Sequence, residues 1–190
     1  MHKHFKIYKP YGFLSQFITN QKPGGTHKLL GDLYNFPAGT MSIGRLDKDS
    51  EGLLLLTTNG KLSTKITAGN VEKEYYVQLD GIITNEAISE LKKGVEISIH
   101  GKAYQTLECK VKKIDEIPTF PERAKKIRDE RHGPTSWISI IITEGKFRQV
   151  KKMTAAVGFP TLRLVRVRIG NERIDQMQAG EIKELGRVNL

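Results

Sequence analysis

The chain reads as an α+β domain, and three observations say so. First, β-prone runs dominate: Lys73–Leu79 places Tyr75, Val77 and Leu79 on one face, and Ser136–Thr143 is an almost continuous series of large apolar and β-branched residues. Second, a run of four leucines, Leu53 to Leu56, is closed by Asn59-Gly60, which marks a short buried strand rather than a helix. Third, a few helical faces of two to three turns interrupt the strands without alternating regularly with them. At 190 residues, 38% hydrophobic and 27% charged, the chain has the size and composition to bury a core.

Taken in order, Phe5–Tyr8 is a strand running into Lys9-Pro10-Tyr11-Gly12, where proline and glycine set a turn. Residues 20–27 are polar with Pro23-Gly24-Gly25 and read as an exposed loop. Leu29, Leu30, Leu33 and Tyr34 fit one face of a helix of about two turns. Met41–Ile43 is a short strand leading to the charged stretch Gly44–Glu51 and then to the leucines. Beyond Asn59-Gly60, Leu62 and Ile66 share a face of a short helix closed by Gly69. Thr84 is an N-cap for a helix carrying Ala87, Ile88 and Leu91, stopped by Gly94. Val95–Ile99 and Tyr104–Ile114, joined at His100-Gly101, read as a β-hairpin. Residues 117–134 hold three prolines and a mixed-charge run, either a basic arm that grips a polyanion or a solvated loop. Gln149–Val157 is a helix with Val150, Met153, Thr154 and Val157 on one face. In Thr161–Ile169 the apolar phase shifts at Leu164-Val165, which predicts a bulge in a strand. The tail is peripheral, with Gly180-Glu181-Ile182 as its clearest strand.

Charge narrows the partners. Thirty-one basic against 21 acidic residues leave +10, and from Gly145 to Asn171 there is no acid among Lys146, Arg148, Lys151, Lys152, Arg163, Arg166 and Arg168. A one-sided basic region of this kind favours nucleic acid over a membrane surface, since no strongly amphipathic basic helix accompanies it. No apolar run approaches the roughly 18–20 residues of a membrane span, and the first residues carry no apolar signal region. The single Cys109 excludes an internal disulfide and suits a reducing, cytoplasmic setting; the five histidines have no metal-ligand spacing.

Chemistry concentrates in Gly44-Arg45-Leu46-Asp47-Lys48-Asp49-Ser50-Glu51-Gly52, nine residues of which five are charged before the leucines begin. Such residues sit at the mouth of a core strand, held by a rigid element and close to solvent. The pattern Gly-Arg-Leu-Asp-x-x-Ser-x-Gly-Leu-Leu-Leu-Leu-Thr resembles the signature of RsuA-type ribosomal pseudouridine synthases, with Asp47 at the nucleophile position. Lys73-x-Tyr75-x-Val77 resembles the family's second motif, and Glu144-Gly145-Lys146-Phe147-Arg148-Gln149-Val150-Lys151-Lys152-Met153 its third. The three occur in family order across residues 5–170, and Lys-Pro-x-Gly is where the family's catalytic domain opens.

The resemblance implies a bent, mainly antiparallel sheet with flanking helices, spanning two lobes around a cleft that holds Asp47. It implies one catalytic domain over residues 1–190, working without the small RNA-binding module that many relatives carry ahead of it. The reaction implied is isomerisation of uridine to pseudouridine in ribosomal RNA, with large-subunit RNA preferred, by a monomer that needs no cofactor. Asp47 would be the nucleophile, Tyr75 would meet the uracil, and Lys151 would lie against the aspartate as a point charge where many relatives use arginine. Arg45 would fill the space of the flipped nucleotide, and Leu164 would form an apolar wall. Lys146, Arg148, Lys152, Arg163 and Arg166 would bind RNA phosphates. Two other classes fit parts of the pattern. A non-catalytic RNA-binding protein explains the charge but needs no ordered Asp47, Tyr75 and Lys151. A hydrolase pairing Asp47 with Glu51 needs carboxyls roughly 5–9.5 Å apart across a substrate, whereas Glu51 reads as the first residue of the strand.

Overall fold

Leucines at four successive positions can all be buried only in a strand covered on both faces, because neighbouring side chains point to opposite sides. Leu53, Leu54, Leu55 and Leu56 are each 0% exposed. In the computed structural model, residues 2–18 and 27–189 are described, Glu130 by its backbone alone. The polar loop expected at residues 20–27 therefore lies outside the described residues except for His27. Along the chain run β1 (His4–Lys9), β2 (Met41–Ile43), β3 (Glu51–Thr57), α1 (Gly60–Ala68), β4 (Lys73–Asp80) and α2 (Asn85–Lys93). There follow β5 (Glu96–Ile99), β6 (Lys102–Gln105), β7 (Lys110–Ile114), β8 (Thr135–Ile142) and α3 (Gln149–Ala156). The last strands are β9 (Thr161–Ile169), β10 (Glu172–Arg173) and β11 (Ile182–Leu185). This is an α+β fold with a mostly antiparallel sheet and flanking helices.

The chain divides into two compact units. The first takes residues up to Val71, then Pro121–Lys125 and everything from Arg166 on. Its strands run in the order β11-β1-β3-β9. β1 lies antiparallel between β3 and β11, with Ile7 opposite Leu54 on one side and Ile182 on the other. β2 extends the far end of β3, Ile43 facing Leu55. Phe5, Ile7, Leu30, Leu54 and Leu56 form the core on one side of this sheet, with Phe17, Leu33, Phe36 and Ile182 packed against it. Phe36 meets Phe5 and Phe17 edge-on, a geometry that adds favourable quadrupole contact to burial. The helix expected at residues 29–34 is only a 3₁₀ turn, Leu30–Asp32. Six residues with Gly31 in the middle cannot meet the cost of nucleating a helix, and the Asp32 carboxylate accepts the Leu29 N–H (2.7 Å) to close the turn instead.

The second unit takes Glu72–Phe120 and Lys126–Val165, with strand order β9-β4-β8-β7. β8 is central here: Ile140 faces Tyr75 of β4 on one side and Val111 of β7 on the other. The strand expected over Tyr104–Ile114 is two strands. β6 returns along β5 through the His100-Gly101 turn, and β7 leaves to pair with β8. Between them the chain is held away from the hairpin, since the Leu107 N–H donates to Glu144 (2.8 Å) and the Cys109 N–H to the Lys92 carbonyl (3.0 Å). The Cys109 thiol donates to the Leu91 carbonyl (3.1 Å), and burial, with Glu144 nearby, pushes it up to about 11. It is a packed thiol, not a reactive one. The segment at 117–134 is tied down rather than free: Phe120 packs edge-on to Tyr76 and beside Trp137, and Arg128 pairs with Asp80 and donates to the His132 carbonyl (2.5 Å). The bulge expected in β9 has a simpler alternative, because Leu164 through Val167 are all buried and both faces of the strand are covered there.

Candidate active site

In the first unit residues 44–50 are a fixed loop between β2 and β3. Gly44 turns the chain at a φ of +69°, a region that glycine enters at no steric cost. Leu46 is a buried peg, 6% exposed. Ser15 clamps it from the preceding loop: its Oγ donates to the Leu46 carbonyl (2.8 Å) and accepts the Leu46 N–H (2.9 Å). Gly12 donates its N–H to the Lys48 carbonyl (2.8 Å), and the Ser50 N–H donates to the Asp47 carbonyl (3.0 Å), closing a tight turn. The main chain on both sides of Asp47 is thereby determined, while Arg45 stays exposed and Asp47 half-buried.

Beneath this loop lies Lys9, the last residue of β1, at 0% exposure. Its ammonium donates to the Pro10 (2.9 Å) and Phe13 (2.7 Å) carbonyls and faces the carboxylates of Glu51, Asp49 and Asp47 and the guanidinium of Arg166. Burial pulls Lys9 down to about 7; the three carboxylates oppose that shift and Arg166 reinforces it. Arg166 is expected from sequence on a phosphate-binding surface, and the structure corrects this. It is 3% exposed, with Nε donating to the Leu53 carbonyl (2.8 Å) and a terminal nitrogen 3.4 Å from the Arg45 carbonyl. A guanidinium turned to the backbone in this way props the loop and cannot reach a surface phosphate. Lys9 and Ser15 are the site residues that sequence reasoning missed. Lys9 stood in a motif read as turn chemistry, and Ser15 carried no signal at all.

In the second unit Tyr75 is buried on β4 at 7% exposure, and Tyr76 points to the opposite face, as the alternation requires. Lys151 sits half-buried in the first turn of α3, and Leu164 is buried on β9 at 5% exposure. The connection into α3 is framed by two polar residues of the third motif. Glu144 accepts from the Tyr104 hydroxyl (2.5 Å), the Leu107 N–H (2.8 Å) and the Gln149 side chain (2.5 Å), while Gln149 Oε1 accepts the Lys146 N–H (2.9 Å). The hydrogen bond to Glu144 holds the Tyr104 hydroxyl above its ordinary range. This frame leaves Lys146 exposed and Arg148 half-exposed in the left-handed region (φ +53°). Lys152 donates to the Ser98 carbonyl (2.5 Å), and Arg163 lies over the Phe120 ring at 5.4 Å. Arg45 and Asp47 thus belong to the first unit, and Tyr75, Lys151 and Leu164 to the second.

Comparison with known proteins identifies the fold first. A solved structure described as a pseudouridylate synthase superposes with a TM-score of 0.76 at 26% identity, over 97% of this chain and 70% of that one. The architecture is the pseudouridine synthase catalytic fold. The RNA pseudouridylate synthase family model matches residues 3–156. Ribosomal large subunit pseudouridine synthase E of Vibrio parahaemolyticus is 43% identical over 179 residues, covering 93% of this chain and 71% of that protein. The protein of the same name from Xanthomonas axonopodis pv. citri is 40% identical, over 89% of this chain and 86% of its own length. This chain belongs to the RNA pseudouridylate synthase family, and its activity is RNA pseudouridylation.

Proposed function

We propose that this protein converts a specific uridine of large-subunit ribosomal RNA to pseudouridine, as a ribosomal large subunit pseudouridine synthase E. The observation that carries the reading is the Asp47 loop. A carboxylate on a loop clamped by Ser15, Gly12 and Arg166 is offered at a defined position beside the Lys9 ammonium. The identity to proteins bearing that name supports the choice of RNA. Asp47 acts as nucleophile: the glycosidic bond from C1′ to N1 breaks, the uracil turns, and a C5–C1′ bond forms. The C5 proton leaves and N1 takes one up, so the product is an isomer and no redox step occurs. Reaching C1′ requires the nucleotide to leave its stack, which costs a few kcal/mol. Arg45 fills the vacated space. Tyr75 packs on the uracil, Leu164 walls the base, and Lys151 supplies positive charge, the roles that the family resemblance implies. Lys146, Arg148, Lys152 and Arg163 take up phosphates, which needs no cofactor.

Carbodiimide-adduct primer extension on large-subunit RNA treated with purified protein tests this. Wild type produces a new stop and Asp47→Asn none, although both bind the RNA. A stop from both proteins removes Asp47 from the mechanism. A stop only on small-subunit or transfer RNA moves the substrate elsewhere.

A further inference from the structure

The β5–β6 hairpin and the connection into α3 bring two rings together on the surface of the second unit. His100 and Gly101 form the two-residue turn, both with positive φ (+50° and +79°), the conformation that matches the twist of a tight hairpin. Histidine at such a position costs backbone energy that asparagine or glycine would avoid. Its exposed ring lies parallel to Phe147, with centroids 5.8 Å apart and an interplanar angle of 19°. Phe147 is 55% exposed although it lies within the hydrogen-bonded Glu144–Gln149 frame, so it is held at the surface rather than left there by a slack loop. One ammonium lies over the Phe147 ring, and that of the preceding residue, Lys146, lies over Tyr104 of the same hairpin. Lys152 Nζ lies 5.2 Å from the Phe147 ring centre and is fixed by the Ser98 carbonyl; Lys146 Nζ lies 4.8 Å from the ring of Tyr104 on β6.

Packing alone does not account for this arrangement, since rings gathered for packing are buried, and these two stay in solvent beside cations. We propose that His100 and Phe147 form a stacking platform for an unpaired nucleotide of the RNA outside the target uridine, with Lys146 and Lys152 on its phosphates. Every base has a π-face, and a groove with aromatic rings among cations is how unpaired strands are held without reading their sequence. One-signed charge favours this occupant over a protein surface, because residues 145–171 carry no acid to meet a partner's cations. The inference rests on the chain acting on RNA and adds where the flanking strand runs.

The test compares Phe147→Leu and His100→Asn with wild type by fluorescence anisotropy, on a stem-loop RNA with an unpaired loop and on a perfect duplex of equal length. Phe147→Leu keeps apolar volume, and His100→Asn keeps the turn. Each variant loses about 5-fold or more in affinity for the stem-loop, from the ~1–3 kcal/mol of one stacked base, and little for the duplex. The salt dependence keeps its slope, because no phosphate contact is removed. Phe147→Tyr retains wild-type affinity, which separates stacking from folding. Unchanged stem-loop affinity, or equal losses on both RNAs, overturns the platform. Pseudouridine formation by wild type on large-subunit RNA is scored separately, so failure of that substrate assignment leaves the binding comparison readable.

Discussion

Lys9 stands far from its free-state chemistry, and its effect on stability has a definite sign. An unfolded lysine titrates near ~10.4, while in the folded chain burial brings it to about 7. Below pH 7 it is charged in both states and the full burial penalty acts. Between about pH 7 and 10 the unfolded chain binds more protons, so stability rises with pH through that window. The Lys9→Met variant lacks this rise. In urea unfolding from pH 6.5 to 9.5, wild type gains on the variant by at most about 1.4 kcal/mol per pH unit; parallel curves would show that the Lys9 shift is not there. At this scale the sequence was legible in part. Asp47 and Tyr75 stand out by motif, yet Arg166 and Lys9 look like any other basic residues until burial is known. A charge count cannot distinguish a cation that meets RNA from one that props a loop from beneath.

Among the elements, the best-read were those whose ends are written in local chemistry. The Thr84 hydroxyl accepts the Ala87 N–H (3.2 Å), so that cap makes the bond its residue type suggests; Asn59, read as part of a turn, also caps a helix by accepting the Leu62 N–H (3.1 Å). Gly94 closes α2 at a φ of +85°, and a Cβ there would come within 2.2 Å of the Thr106 carbonyl oxygen. Both strain and collision oppose any side chain, so Gly94→Ala should cost roughly 2–4 kcal/mol. That corresponds to about 5–15 °C in Tm by thermal melting; a shift under 2 °C would mean the backbone yields easily. The misread elements were the helix at 29–34 and the single strand at 104–114. Each failed because the deciding bond comes from elsewhere in the chain or from a side chain of the turn itself: Asp32 on Leu29, and Glu144 on Leu107.

For the molecule as a whole, the excess of +10 makes binding to RNA an ionic process. Affinity falls linearly with salt on logarithmic axes, at about −0.7 per phosphate neutralised on a single strand. Replacing exposed Lys146 by alanine should flatten that slope by about 0.7 and weaken binding to all RNAs alike. Replacing Arg166, which is buried, should leave the slope as it is and lower stability instead. Anisotropy titrations between 50 and 300 mM salt distinguish the two, and equal slope changes would contradict the burial of Arg166.

By itself the sequence determined the α+β class, most strand and helix bounds, the charge that selects a polyanion, and the three motifs of the family. These are local or additive properties: periodicity, capping, charge and short ordered patterns survive without knowledge of what packs on what. Only the tertiary structure decided that Ser15 clamps Leu46, that Lys9 is buried under three carboxylates, and that Arg166 faces the backbone. Only there do His100 and Phe147, 47 positions apart in the chain, stack at the surface. Burial and long-range contact set those roles, and both depend on elements far apart in sequence reaching the same place.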